Sequence, residues 1–505
     1  MTEQLLYWSL AVVQVVYLGG MVVTLWLYSL PVDLVDREAE PTAPLPRIVL
    51  FYPVLRELEQ TMRTTFTGMQ RAEYPAELLR VISIPNSDDH ETLASLERLQ
   101  REFPFLEVMP VPPTTDPSWD AVWNAWNENP RAYWWHQDGR RGDRDLPPKK
   151  TRQLVWATYQ VAPGNDDTLL SYIDADSVVP ADYWRTAAVG MESYDVVQNT
   201  NITGNLMSSW PASFYAMDHI AWDSSLYKHM TAHGKHPFWV LGKGLFFRFG
   251  DIVRVGGFHP WITIEDPEIG MRLWTNGARL GVVESPLIEE VPATWSQGVT
   301  QRKRWVAGFF QSLSTPLTRM GMTPAQRFRA RMNFVPCLSL VFNPVGFGVG
   351  IWALLAVVLG GVLLPLPLVV LSAATSTLAL VLMVRGMVRA WVMSEPVLAR
   401  RRERLAYVLR VNLFLMLGYW LWWVVPIVKG HRMFRRDGGL VWERTEKRDA
   451  NNVLVRGAGD PAVAGVVPTL AGTPEEALVT PVSIRRGSHA AGAAGATGAD
   501  EAVVS

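Results

Sequence analysis

Residues 5–30, LLYWSLAVVQVVYLGGMVVTLWLYSL, contain no charged side chain. A helix needs about 20 such residues to cross the hydrocarbon core of a bilayer, so this run predicts a membrane-spanning helix. Whatever follows must fold beside a membrane. No basic residue precedes the run, and it is longer than the apolar stretch of a cleaved leader, so a retained anchor is expected.

Composition agrees with that constraint. Of 505 residues, 49% are hydrophobic and 22 are Trp, which is high for a soluble enzyme. Basic residues gather at Arg302, Lys303 and Arg304, at Arg327, Arg329 and Arg331, and at Arg400, Arg401, Arg402 and Arg404, each group ahead of an apolar stretch. This is the pattern of cytoplasmic membrane flanks, and the same groups suit contact with phosphates. A net charge of -1 supplies no overall field for nucleic acid, so no nucleic-acid partner is expected. The single Cys337 cannot form an internal disulfide, which suits a reducing compartment.

Residues 334–393 are apolar with Gly and Pro breaks near LGGVLLPLPL, enough for two spans and a tight turn, and a further apolar run covers 405–428. One anchor before and three crossings after would leave the basic stretch KGHRMFRRDGG outside the cell. Either one segment is interfacial or re-entrant, or the long block hides another crossing. Residues beyond 450, rich in Gly, Ala, Val and Thr without a period, read as a disordered tail. Between 47 and 300, short β-rich runs (RIVLFYPV, LLRVISIP, TLLSYIDA, DVVQNTN) alternate with helical stretches such as DDHETLASLERLQREF, the rhythm of an α/β sheet.

The third of those runs ends in YIDADSVVP, with Asp174 and Asp176 one residue apart. Like charges clustered at a strand mouth repel unless a cation lies between them, and strand ends are where open α/β sheets bind ligands. Such a pair alone is weak evidence. It is followed by WITIEDPEIGMRLW at 261–274 and QRKRW at 301–305, and preceded by LPPKKTRQL at 146–154. In that order, DxD, a Glu-Asp pair opening a helix, and Q-x-x-R-W ahead of membrane segments, the set resembles the membrane-integrated family 2 glycosyltransferases, which include cellulose and hyaluronan synthases. The resemblance covers roughly residues 47–445 by motif order.

The resemblance implies a GT-A-type nucleotide-sugar-binding domain, a mixed and mostly parallel sheet flanked by helices, inserted between transmembrane helices. Its parts would be an N-terminal anchor at 1–32, a cytosolic transferase domain at 33–300, interfacial helices with Q-x-x-R-W at 301–333, membrane segments at 334–430 and a basic, then disordered tail at 431–505. It implies an inverting, metal-dependent transfer of a sugar from a nucleotide sugar, with UDP sugars favoured, to a growing polysaccharide at the cytosolic face of a bacterial plasma membrane. The alternative is transfer of one sugar to a lipid or lipid phosphate. Asp176 matches the metal-facing carboxylate and Asp174 the one nearer the nucleoside, with Mg²⁺ or Mn²⁺ as the cation that oxygen ligands suit. Asp266, beside Glu265, matches the base that deprotonates the acceptor hydroxyl. Gln301 and Arg304 match donor-phosphate contacts, and Trp305 offers a face on which an acceptor sugar can stack. Lys150, four residues before Leu154, matches a phosphate-neutralising lysine, and Gly242 and Gly244 resemble acceptor-side loops, as do Gly256 and Gly257.

The chain departs from the family where the base of the donor would be held. After the first strand it keeps Glu57 but has Arg56 in place of Asn. After the second it offers Asn86 and a displaced Asp88-Asp89. VWERTEKR at 441–448 resembles a basic motif after the last span and favours a cytosolic tail. His229, His233 and His236 have a spacing open to zinc, but without Cys or a paired carboxylate they are expected to be hydrogen-bonded or surface groups. Trp119, Trp123 and Trp126 share one helical face, which predicts packing or a membrane surface before glycan binding.

Overall fold

The computed structural model describes residues 2–137 and 143–437; the 441–448 motif and the stretch beyond 450 lie outside the described residues. Seven strands form one sheet: β1 (Ile48–Tyr52), β2 (Leu79–Ser83), β3 (Leu106–Val108), β4 (Leu169–Tyr172), β5 (Val196–Thr203), β6 (Leu245–Arg248) and β7 (Leu280–Glu289), in the order β3-β2-β1-β4-β6-β5-β7. All neighbours are parallel except β6, which runs antiparallel to both β4 and β5. This is the mixed, mostly parallel sheet expected.

Every residue of β1 and β4 is buried, as strands covered on both faces must be. Alternate side chains serve opposite layers. Ile48, Leu50 and Tyr52 meet α2 (Glu59–Arg71), α3 (His90–Glu102) and α6 (Tyr183–Met191), through residues such as Phe66, Leu96 and Trp184. Val49 and Phe51 face a second core built on α4 (Asp120–Glu128), α5 (Lys150–Val161), α8 (Phe249–Arg254) and α9 (Asp266–Thr275). The Trp-rich insert belongs to that core. Trp123 stacks on Trp119 and on Trp135 with ring centroids 5.3 and 5.4 Å apart, and Trp126 donates its Nε1 to Gly256 O at 3.0 Å. These rings are buried and structural. The histidines likewise tie down the chain leaving the N-terminal helix: the Nδ1 of His229 lies 2.8 Å from Leu30 O, that of His233 2.6 Å from Asp33 Oδ1, and His236 packs edge-on to Trp26.

Among the described residues three helical stretches are long and apolar enough to cross a membrane: Glu3–Tyr28, Leu366–Met393 and Leu413–Arg436. The first two lie in α1 (Thr2–Tyr28) and α14 (Leu366–Met393), which pack together, with Gln14 Nε2 donating to Ser372 Oγ at 3.3 Å. The first span expected in 334–393 is shorter than its sequence suggested. Val335–Val341 (α12) breaks at Phe342, where Asn343-Pro344 starts α13 (Asn343–Val358), whose 16 residues reach about 24 Å against a core of about 30 Å. The apolar run from 405 also divides, because Asn412 caps a new helix by accepting from Phe414 N and Leu415 N. It yields α15 (Arg401–Arg410), α16 (Leu413–Trp422) and α17 (Val424–Asp437).

α17 packs lengthwise on α10 (Trp295–Leu313), which carries the Q-x-x-R-W stretch, while α11 (Pro324–Met332) follows under a Thr323–Gln326 capping box. At Gly430 a Cβ would sit 2.6 Å from Lys303 O, so the two backbones touch. Between them and α7 (Trp210–Ala221) Arg302 is fully buried, donating through Nε and Nη2 to Asp218 Oδ2 at 2.8 and 2.6 Å and through Nε to Tyr419 Oη at 3.1 Å, with its guanidinium 3.8 Å from the Tyr215 ring. Arg302→Met strands the Asp218 charge and should cost about 3–5 kcal/mol, whereas Arg302→Met with Asp218→Leu should regain most of it. Unfolding followed in detergent for both variants checks this.

Candidate active site

β1 and β4 are neighbours at the middle of the sheet and end at one edge. Tyr52 Oη and Thr65 Oγ1 both donate to Ala175 O, at 2.6 and 2.9 Å, so the residue between the two aspartates is pinned to β1 and α2. Asp176 is only 4% exposed, and its Oδ2 accepts from Glu290 N at 2.8 Å, just beyond β7. Lys150, at the start of α5, donates Nζ to Asp174 Oδ1 at 2.8 Å and to Gly242 O at 2.6 Å, and lies 3.3 Å from Glu265 Oε1. Burial alone would lower its pKa, but Asp174 and Glu265 outweigh that and hold it above the ordinary lysine value. Lys149 beside it goes the other way: burial pulls it down to about 8.

Asp266 opens α9, but its carboxylate does not cap the helix. Glu265 is the N-cap residue and makes no side-chain cap bond, while Asp266 Oδ2 accepts from Gly242 N at 3.1 Å. Burial, reinforced by the neighbouring Glu265, pushes the Asp266 carboxyl up to about 7, with Lys150 opposing. Gly242 packs closely against these groups: a Cβ there would lie 3.3 Å from Glu265 Oε1 and 3.4 Å from Lys150 Nζ.

Asp174, Asp176, Glu57, Lys150, Gly242, Glu265, Asp266, Gln301, Arg304 and Trp305 all line one cavity of about 300 Å³ at this edge. Asn86, Asp88, Gly244, Gly256 and Gly257 do not. Asn86 is buried outside it and accepts from Arg152 Nη2 at 2.7 Å. Asp88 is exposed, and its neighbour Asp89 caps α3 while accepting from Arg56 N at 2.7 Å. Arg56 itself has φ 49°, a left-handed conformation in which Asn is several-fold enriched. Gly244, at φ 65°, fits against Leu287 inside the sheet, and Gly256 and Gly257 back onto Ala132 and Tyr159 of the Trp-bearing core.

The cavity wall also holds residues that motif spacing does not mark. Lys243 Nζ pairs with Glu289 Oε2 and lies 3.7 Å from Asp223 Oδ2, which in turn is 2.8 Å from His219 Nδ1. The His219 ring meets Trp305 edge-on at 5.8 Å. An acidic doublet at the end of β7, Glu289-Glu290, was the available signal, because strand ends at this edge supply ligands.

Carboxylates on the wall outnumber Lys and Arg by nine to four, a surplus that fits a cation. Among the described residues no three His, Cys, Asp or Glu side chains enclose a metal by themselves. A hard divalent ion arriving with a diphosphate needs only one or two protein carboxylates, and Asp174 with Asp176 is such a pair. The donor set fits.

The fold and site together define an α/β enzyme with its site at the strand ends, beside helices long and apolar enough to cross a membrane. Residues 169–428, just over half the chain, match the model of Glycosyl transferase family group 2, and the chain belongs to that family. It is a family 2 glycosyltransferase, and homologues of this family transfer sugars from nucleotide sugars. No curated protein matches the sequence. Similar solved structures include the mannosyltransferase PcManGT from Pyrobaculum calidifontis in complex with GDP-Man and Mn²⁺ (16% identity, 81% of this chain and 99% of that one, TM-score 0.47). S. aureus TarS 1-349 in complex with UDP-GlcNAc is another (9% identity, 72% and 90%, TM-score 0.32).

A carboxyl whose pKa is raised on folding supports the fold while protonated and ceases to as pH climbs from its ordinary 3.8 through about 7. Asp266→Asn should therefore melt higher than the unaltered protein at pH 8, and the gap should close toward pH 4. Thermal unfolding across that range checks the sign.

Proposed function

We propose that this cavity transfers a sugar from a nucleotide sugar to an acceptor hydroxyl with inversion, Asp266 acting as the base. The observation that carries the reading is a carboxyl held near pKa 7 in the same cavity as the Asp174–Asp176 pair and Trp305. A general base is most effective when its pKa lies near the working pH. The acceptor oxygen attacks the anomeric carbon, its proton passes to Asp266, and the bond to the nucleoside diphosphate breaks on the opposite face, so no covalent intermediate is needed. Asp174 and Asp176 would hold a divalent cation, Mg²⁺ or Mn²⁺, which when bound neutralises the departing diphosphate.

Lys150 keeps Asp174 and Glu265 in register, and Arg304 with Gln301 supplies donors for phosphate oxygens. Trp305 gives the acceptor a ring to stack on. Glu57 is the remaining contact for the donor's base; with Asn86 and Asp88 away from the cavity, a UDP sugar is the reading that the family resemblance favours. The catalytic part faces the cytosol of a bacterial plasma membrane, residues 1–32 anchor it, 33–300 form the transferase domain, 301–333 lie at the interface, and 334–430 enter the membrane. A growing polysaccharide is the acceptor that the Q-x-x-R-W stretch favours. A second reading, transfer to a lipid-borne acceptor, is favoured by an apolar cavity that adjoins the site.

Asp266→Asn should lower turnover by about 10²–10⁴-fold while leaving nucleotide affinity within a small factor, since a base acts in the transition state. In the unaltered enzyme kcat/KM should fall as pH drops through about 7, because only the ionised carboxylate accepts the proton. Asp176→Asn and chelation with EDTA should each abolish transfer, and Mg²⁺ or Mn²⁺ should restore only the chelated enzyme. Equal loss of donor binding and turnover in Asp266→Asn would make that residue structural.

A further inference from the structure

A second cavity, of about 440 Å³, lies between α1, α7, α13, α14 and α16, and its wall is mostly apolar, with Met21, Met217, Phe347, Leu382 and Met416 among its side chains. Two of the helices that bound it, α1 and α14, are long and apolar enough to cross a membrane. Asp218, Trp222 and Trp423 line both this cavity and the catalytic one, so the two adjoin.

Its wall is not uniformly apolar. Arg385 and Arg389 stand four residues apart on α14, on one face and toward the end that packs on α7. Neither forms an ion pair among the described residues. Arg385 has its guanidinium 3.8 Å from the Tyr28 ring and a buried Nε with no hydrogen-bond partner among those residues, and Arg389 donates only to neutral oxygens, Ser225 Oγ at 3.1 Å and Ser224 O at 3.2 Å. Asp218, a carboxylate on this wall, is already held by Arg302. Arginines within a spanning segment are costly and mark functional sites. Here two uncompensated guanidiniums border a chamber that suits hydrocarbon and adjoins a transferase site.

Resting on the glycosyl-transfer reading above, we propose that this cavity seats the hydrocarbon chain of a phosphate-bearing lipid, with its phosphate at Arg385 and Arg389, and that this lipid carries the acceptor hydroxyl past Trp222 and Trp423 into the catalytic cavity. The apolar wall binds the chain through burial of its methylenes, and the guanidinium pair recognises the phosphate by charge and by planar donor geometry. The acceptor is thereby delivered from the bilayer, and the catalytic cavity needs to recognise only its sugar end.

The test uses the full chain in detergent and three acceptors sharing one sugar: a methyl glycoside, a dodecyl glycoside and a dodecyl-phosphate-linked glycoside. KM should fall from the first to the third by at least about tenfold, with the phosphate contributing beyond the chain. Gly386→Leu fills the chamber at a position where a Cβ meets only Met217 Cε, at 3.8 Å, so the helix tolerates it. This variant should raise KM for both dodecyl acceptors while leaving methyl glycoside transfer and slow donor hydrolysis unchanged. Arg385→Gln with Arg389→Gln should penalise the phosphate-linked acceptor alone. Equal KM values for the methyl and phosphate-linked glycosides, or a Gly386→Leu effect common to all three, would overturn the proposal and leave the chamber to a resident bilayer lipid. A dodecyl glycoside as good as its phosphate-linked form would refute the arginine seat. Absence of both donor hydrolysis and transfer with every acceptor would instead bring down the glycosyl-transfer reading, and this proposal with it.

Discussion

The ammonium of Lys150 reaches oxygens from three loops that are remote in sequence: Asp174 after β4, Gly242 ahead of β6, and Glu265 ahead of α9. Each brings negative charge or a carbonyl dipole to one sheet edge, where unscreened carboxylates would drive the loops apart. Burial disfavours an ammonium, yet the surrounding carboxylates keep it charged. The same arrangement separates the two members of the acidic pair. Glu265 has the counter-charge within 3.3 Å, whereas Asp266 is held by the neutral Gly242 amide and forms no ion pair among the described residues. A group buried beside another carboxylate and without a contacting cation resists ionisation, and this is the physical origin of its raised pKa.

The packing of the C-terminal helices depends on a comparable buried charge. Within the single stretch Gln301–Trp305 the side chains divide the work: Gln301, Arg304 and Trp305 line the cavity, while Arg302 turns inward to Asp218 and Tyr419. That pair fastens α10 to α7 and to the apolar C-terminal helices, so the cavity wall is held by helices of which the last stretch is long and apolar enough to cross a membrane. Lys243, Glu289, Asp223 and His219 extend the charged wall from the end of β7 to the edge of Trp305, joining the two ends of the cavity through contacts of side chains alone.

Much of this was legible in the order of residues because it depends on local rules. Apolar length marked α1 and α14, the β-rich runs marked β1, β2, β4 and β5, and a carboxylate pair at a strand end marked the edge of the sheet where the cavity lies. The antiparallel course of β6 had no local mark. The division of 405–428 was signalled only by Asn412, a helix cap inside a hydrophobic run. Asn86 and Asp88 resembled donor contacts by position, but Arg152 claims the first and the α3 cap geometry turns the second to solvent.

The sequence by itself determined that the chain carries helices long and apolar enough to cross a membrane, that an α/β domain follows the first of them, and which acidic and aromatic residues are the site candidates, since hydrophobic length, periodicity and motif order are properties of neighbouring residues. Only the tertiary structure decided that Arg302 is a structural ion and Arg304 a cavity residue, that Asp266 is the desolvated carboxyl, that Lys243 and His219 belong to the wall, and that an apolar chamber bearing Arg385 and Arg389 adjoins it. Each of those depends on distances between residues tens to hundreds of positions apart. Charge pairing, desolvation and cavity shape are set by such distances, and no local pattern encodes them.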